Sequence, residues 1–182
     1  DQGYVYYQQA LNFYNKGGYG NYNQAKALAE KAKDLFSYLL FPGDLIEKCE
    51  NLIQSAEEKI KESKKAQADE LYEDAKNAYM KKVPDFFKAL ENVNEAKRIY
   101  EEINDEQGIQ KCDALISNIE IDITQTDEKA NVYYTLAEEW YAKAQKNPIF
   151  KNFNRAIEYA ENASKLYALV NIYHQKPCLA HH

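Results

Sequence analysis

Apolar positions along this chain follow a helical period from end to end. Near the N-terminus, Tyr7, Ala10 and Tyr14 recur at steps of three and four, which place side chains on one face of an α-helix. Glycine and proline number only 6 and 4, too few for the turns of a strand-rich fold. The pattern therefore predicts an all-α protein. Its helices are expected near residues 4–16, 21–40, 44–82, 86–103, 106–146 and 152–172, with breaks near 63–68 and 124–128 left open.

The apolar pattern repeats three times, with a unit of about 63 residues. The first helix of each unit, helix A, carries Tyr7-Ala10-Tyr14, Tyr72-Ala75-Tyr79 and Tyr134-Ala137-Tyr141. The second, helix B, carries Tyr22-Ala25-Ala29-Ala32-Leu35-Phe36, Phe86-Ala89-Val93-Ala96-Ile99-Tyr100 and Phe153-Ala156-Ala160-Ala163-Leu166-Tyr167. Helix C occurs twice, as Leu45-Ile46-Lys48-Cys49-Leu52-Ile53-Ala56-Ile60 and Ile109-Lys111-Cys112-Leu115-Ile116-Ile119-Ile123. All these positions are expected to be core, apart from the lysines.

The repeat predicts a single helical-repeat domain over residues 1–178. Its copies span about 4–65, 68–126 and 130–178, and the third helix C is expected to start near Cys178. Asp44 and Asp105 are the expected N-caps of helix C. No glycine or proline separates the first helix C from the next helix A, so the two could form one helix. Residues 179–182 resemble a purification-tag remnant, and a start at Asp1 suits a mature protein or an excised domain.

Helices A and B together resemble the tetratricopeptide repeat. The aromatic, alanine and tyrosine of helix A and the alanines of helix B match that family in all three copies. The sequence departs from it because the glycine of the first helix is missing and helix C lengthens the unit. The resemblance implies an α-solenoid, a right-handed superhelix of helical hairpins with an extra or extended third helix per repeat, which binds a peptide or protein on its concave face. A spectrin-like rod of three-helix bundles is the alternative.

No sequence motif of this chain predicts catalysis or a cofactor. Nucleophile-elbow, phosphate-loop and dinucleotide patterns are absent, and His174 with Cys178 lacks the second pair of ligands that zinc needs. Cys49 and Cys112 occupy equivalent positions of helix C, where buried, reduced thiols are expected. A net charge of −6 argues against nucleic acid as the main partner, and no apolar stretch is long enough to insert in a membrane. The sequence thus predicts no enzyme, metal or cofactor.

A polar stripe on helix A is the candidate binding surface. Residues four apart share a helix face, and lysine ends the stripe in every copy. The candidate partner-binding residues are Gln8, Asn12, Lys16, Glu73, Asn77, Lys81, Thr135, Glu139 and Lys143. In proteins that resemble this one, lysines on this face contact carboxylates of a bound peptide. The alternative is that the lysines stabilise the helix C-terminus through its dipole.

The tyrosine content, 16 residues, suits both packing between helices and an interface. We therefore expect a protein-interaction module or scaffold whose partner is a protein or peptide. The alternative is a structural spacer or rod within a longer surface or membrane-anchored protein. The sequence determines neither the oligomeric state nor the compartment: a cytoplasmic location is the default, and an extracytoplasmic domain fits as well.

Overall fold

The structure, a computed structural model, describes residues 2–40 and 42–174, with side chains described as far as Val170. Within these ranges it contains six α-helices and no β-strand. The helices are α1 (Gln2–Lys16), α2 (Tyr19–Ser37), α3 (Leu45–Tyr79), α4 (Phe86–Glu102), α5 (Glu106–Lys146) and α6 (Phe150–His174). The all-α prediction is confirmed, and each helix begins and ends within a few residues of its predicted bounds. The side chain of His174, residue Cys178, the start of a third helix C and the suggested tag all lie outside the described part.

The two joins from helix C to the next helix A are uninterrupted. Helix α3 holds the first helix C and the second helix A in 35 residues, and α5 holds the second helix C and the third helix A in 41 residues. Thr124 and Thr126 do not break α5. Their hydroxyls donate to the carbonyls one turn back, those of Glu120 and Asp122, and so do not cap a helix end.

The chain divides into two compact units, residues 1–68 and 69–182. In the first unit α1 and α2 pack together, and the start of α3 lies against both. One cluster joins Ala10, Ala29 and Leu52, and a second joins Ala32, Phe36 and Cys49. The alanines at the centre of each cluster let the helices approach closely. Leu52 and Phe36 fill the space that remains between them.

In the second unit α5 packs against both α4 and α6. Helix α4 is deeply buried, since its apolar residues from Phe86 to Tyr100 are covered apart from Phe87, which is half-buried. Cys112, Leu115 and Ile119 supply the facing side of α5. Burial of aliphatic side chains of this kind stabilises the unit by roughly 1.5–3 kcal/mol for each one fully covered.

Helix ends follow local chemistry that the sequence anticipates only in part. Asp105 accepts a hydrogen bond from the Gly108 amide at 3.1 Å, as expected of the N-cap of α5. Asp44 offers its backbone carbonyl to the first turn of α3, but its carboxylate pairs with the Lys48 ammonium at 2.6 Å. Asp85, which the sequence pattern did not single out, caps α4 by accepting from the Lys88 amide.

Two hydrogen bonds occur at positions that correspond in the sequence alignment of the second and third copies. The Tyr100 hydroxyl at the end of α4 donates to Asp69 at 2.5 Å, and the Tyr167 hydroxyl in α6 donates to Asn131 at 2.6 Å. Both link the end of a helix B to the start of its helix A. The first copy has Phe36 at this position, which packs there without a polar group.

Candidate protein-binding surface

The third hairpin, formed by the second half of α5 and by α6, is the region where the structure departs most from the predicted core. Tyr134 and Tyr141, expected to be core, are 51% and 53% exposed. Ala160, at a core position of helix B, is also exposed. Their counterparts in the first two copies are half-buried or buried. The core prediction was therefore wrong for these three residues, whereas Ala137, Ala156 and Ala163 are buried as predicted.

These residues line an open, apolar groove between α5 and α6. One part of the groove, of about 290 Å³, lies between Ala137 and Tyr141 on α5 and Ala156, Ile157 and Ala160 on α6. The adjoining part, of about 460 Å³, shares Ala160. It is lined further by Tyr134, Ala163, Ser164, Tyr167 and Ala168. We call the two parts together the third-hairpin groove.

Among the described residues that line the groove, Glu138 is the one acidic group. Its negative charge, more than its hydrogen bond, raises the pKa of the Tyr134 hydroxyl. Tyr134 therefore stays neutral near pH 7, and the groove offers hydroxyls rather than fixed charge along most of its length. Such a surface suits an apolar partner with a few polar atoms.

The hairpin is held from its other side by aromatic residues that the sequence pattern did not identify. The rings of Tyr133 and Tyr159 stack at 6.1 Å. The Trp140 ring lies 4.5 Å from both the Lys143 ammonium and the Arg155 guanidinium, and cation–π contacts of this kind stabilise by roughly 0.5–1 kcal/mol at exposed sites. The sequence feature that could have identified two of them is an aromatic residue directly before each trio tyrosine, Tyr133 before Tyr134 and Trp140 before Tyr141.

The nine residues of the polar stripe are all exposed. At about 100° per residue, the eight of them that lie within helices are roughly opposite the Tyr-Ala-Tyr trio of their helix A. Those of the third copy therefore lie on the far side of α5 from the groove. Lys16 and Lys143 lie in the last turns of α1 and α5, over the rings of Phe13 and Trp140. Lys81 lies just beyond the end of α3. Two of the three lysines are therefore already held by an aromatic neighbour.

The two described cysteines, Cys49 and Cys112, are fully buried and form no disulfide. Burial raises the pKa of the Cys49 thiol and raises that of Cys112 to about 11. Both therefore stay protonated near pH 7, where a protonated thiol is a poor nucleophile and metal ligand. Their burial confirms the packing role predicted for helix C.

The described residues contain neither a metal-ligating cluster nor a membrane-spanning helix. Among the side chains that the structure describes, those of residues 2–40 and 42–170, no three histidine, cysteine or acidic groups come together in a way that could hold a metal ion. None of the helices described here has the length and apolar character that crossing a bilayer requires. Comparison with models of protein families, with characterised proteins and with solved structures finds no match for this chain.

Proposed function

We propose that this protein is a non-enzymatic protein-binding module and that the third-hairpin groove is its binding surface. The observation that carries the proposal is the exposure of Tyr134, Tyr141 and Ile157, each more than half exposed beside a row of alanines. Large exposed apolar residues that cluster in a concave surface are typical of protein-interaction sites. Tyrosine is also enriched at such interfaces, since its ring offers area and its hydroxyl a polar tip.

The tetratricopeptide-like superhelix remains part of the proposal. In proteins of that kind, helical hairpins form the binding surface, and the partner is a peptide or another protein. The polar stripe on helix A is the second candidate surface. Its support is the exposure of all nine residues, and it would favour an acidic peptide, since lysine recurs in every copy.

A spacer or rod is the competing function, and one observation favours it. Helices of 35 and 41 residues run without a break through successive copies, as the shared helices of a rod do. A spacer has no need of an exposed apolar groove, which lowers solubility. We therefore place the binding module first.

Selection of peptides from a random displayed library on the immobilised protein tests the proposal. Peptides enriched on the wild type are then measured against Ala160→Arg, which places a charged side chain in the groove, and Lys81→Glu, which reverses a charge in the polar stripe. Loss of binding to Ala160→Arg alone supports the groove. Loss with Lys81→Glu alone assigns binding to the polar stripe. If no peptide is enriched, the spacer role is favoured.

A further inference from the structure

The chain itself shows what fills the equivalent groove in its first copy. Leu52 of α3 is 6% exposed and forms one cluster with Ala10 of α1 and Ala29 of α2. Leu11 and Tyr14 pack against this cluster. The positions of α1 and α2 in this set are Ala10, Leu11, Tyr14 and Ala29. By the repeat alignment they correspond, in this order, to Ala137, Glu138, Tyr141 and Ala160. All four line one part of the third-hairpin groove.

The second part of the groove corresponds to a second cluster of the first unit. There Cys49 is fully buried against Ala32 and Phe36, with Tyr7 at the edge. The equivalent positions of the third copy are Ala163, Tyr167 and Tyr134, which line the adjoining part of the groove. Cys49 and Leu52 lie about 4.5 Å apart along the helix axis, at 1.5 Å per residue. A helix seated like helix C would therefore place the equivalent of Leu52 in the part of the groove between Ala137 and Ala160, and the equivalent of Cys49 in the adjoining part.

We propose that the third-hairpin groove binds an amphipathic α-helix of a partner protein, seated as helix C is seated in the first copy. This inference rests on the proposed function and specifies its partner. The partner helix carries a small residue, a leucine three positions on and a small or branched aliphatic residue four positions further. Cys49-Leu52-Ala56 and Cys112-Leu115-Ile119 are the two examples that this chain contains.

The charges at the edge of the groove indicate which residues the partner helix carries there. In the first copy, Lys26 and Lys33 of α2 pair with Glu57 and Glu50 of α3, at 2.7 and 2.8 Å. The third copy has Ile157 and Ser164 at the two lysine positions. A glutamate facing Ile157 would lose water without gaining a cation. The partner helix is therefore expected to be uncharged where helix C of the first copy carries these glutamates.

The second helix C supplies a probe that matches this description in its apolar stripe, although Asp113 and Glu120 stand at the two positions expected to be uncharged. A synthetic peptide of residues 105–124, with alanine in place of Cys112, keeps Leu115 and Ile119 on its apolar stripe. Added to the intact protein, the fluorescently labelled peptide should bind saturably, with a micromolar dissociation constant. The affinity stays moderate because an isolated helix of this length must order as it binds.

Variants of the protein locate the binding. Ala160→Arg should weaken binding of the peptide at least about tenfold, because the side chain occupies the space between the two parts of the groove. Ala142→Arg is the matched control, since Ala142 is exposed on α5 and absent from the groove lining. It should leave the affinity unchanged. Thermal melting of both variants checks that each is folded.

Any one of three results with the peptide overturns the helix proposal. The peptide does not bind, or it binds Ala160→Arg as well as the wild type, or a peptide with Leu115→Asp binds equally well. Self-association that Ala160→Arg abolishes, with no peptide binding, assigns the groove to a second copy of this chain and also overturns it. Library peptides that Ala160→Arg rejects but that lack a helical apolar stripe leave the proposed function standing while the helix proposal fails.

Discussion

The first and third hairpins present the same groove in two different surroundings. In the first, Ala10, Ala29 and Tyr14 lie under Leu52 of helix C. In the third, the equivalent Ala137, Ala160 and Tyr141 line a groove that no described residue fills. The two grooves share these alanines and tyrosines, although Glu138 replaces Leu11 and Ile157 replaces Lys26. The main difference is that Leu52 covers the first groove. The same apolar pattern can therefore serve as core in one copy and as an exposed surface in another.

The stability of the regions that helix C covers should depend strongly on the leucine of that helix. Leu52→Ala and Leu115→Ala each remove a side chain that is 6–7% exposed, and each should lower the free energy of unfolding by about 2–5 kcal/mol. Ile157→Ala in the open groove is the matched control. Because Ile157 is 56% exposed, its loss should stay within about 0.5 kcal/mol.

Urea unfolding monitored by circular dichroism measures all three variants. A loss for Ile157→Ala that equals the loss for Leu52→Ala would mean that the third groove is covered in solution. That result would contradict the comparison on which the proposed function rests.

Gly108 in α5 is the next most sensitive position of the covered region. A Cβ atom at this position would overlap Cδ1 of Tyr100, whose ring is buried. Gly108→Ala gains helix propensity but displaces the ring, so a net loss of about 1–2 kcal/mol is expected. Gly20→Ala is the control: Gly20 lies in α2, where an added Cβ atom would meet no other part of the fold within 4 Å, and the change should be neutral or stabilising. Equal unfolding midpoints for the two variants would contradict tight packing of Tyr100 on α5.

Removing the hydroxyl of the equivalent tyrosine should destabilise the second copy more than the third. Tyr100 is 2% exposed and Tyr167 is half-buried, although each donates one hydrogen bond to helix A. Tyr100→Phe should cost about 1 kcal/mol, and Tyr167→Phe less. Phenylalanine is tolerated sterically, since Phe36 occupies this position in the first copy.

The pH dependence of stability tests the surroundings of Tyr100 further. Burial, followed by the hydrogen bond to Asp69, raises the pKa of Tyr100. A raised folded-state pKa means that the stabilisation is complete below about pH 10, the pKa in the unfolded chain, and is lost as the pH rises through the folded-state value. Tyr100→Phe should therefore reduce the loss of stability above pH 10. Tyr79, whose pKa the Asp122 carboxylate raises to about 12, contributes to that loss in the wild type and in the variant, so the loss should not vanish.

The helical period predicts the helices and most of the core, because local spacing alone decides which residues share a face. Ala25, Ala29 and Ala32 are buried as expected, and so are Cys49 and Cys112. The exposure of Tyr134 and Tyr141 could not be predicted in this way. Their spacing is that of Tyr7 and Tyr14, and burial depends on whether a third helix lies over the hairpin.

Side-chain contacts between helices were also beyond the reach of the sequence pattern. The hydrogen bonds of Tyr100 and Tyr167 and the position of Trp140 between two cations require helices distant in sequence to be placed first. The polar stripe remains a prediction. Exposure of its residues is necessary for binding, but exposed lysine at a helix C-terminus is equally expected from the helix dipole.

The smallest expected effect is a change in peptide affinity. It tests whether a partner helix lies in the third groove in the same register as helix C lies in the first two copies. Lys33 pairs with Glu50 and Lys97 with Asp113, both at 2.8 Å, and the third copy has Ser164 at this lysine position. Ser164→Lys should therefore tighten binding of the peptide of residues 105–124, which carries Asp113, by roughly two- to fivefold at low salt. The same peptide with Asp113→Asn should show no gain, and about 1 M salt should remove the gain for the first peptide. Equal tightening of both peptides would mean that the lysine attracts the peptide without pairing with Asp113, and the helix would then not be seated in the register of helix C.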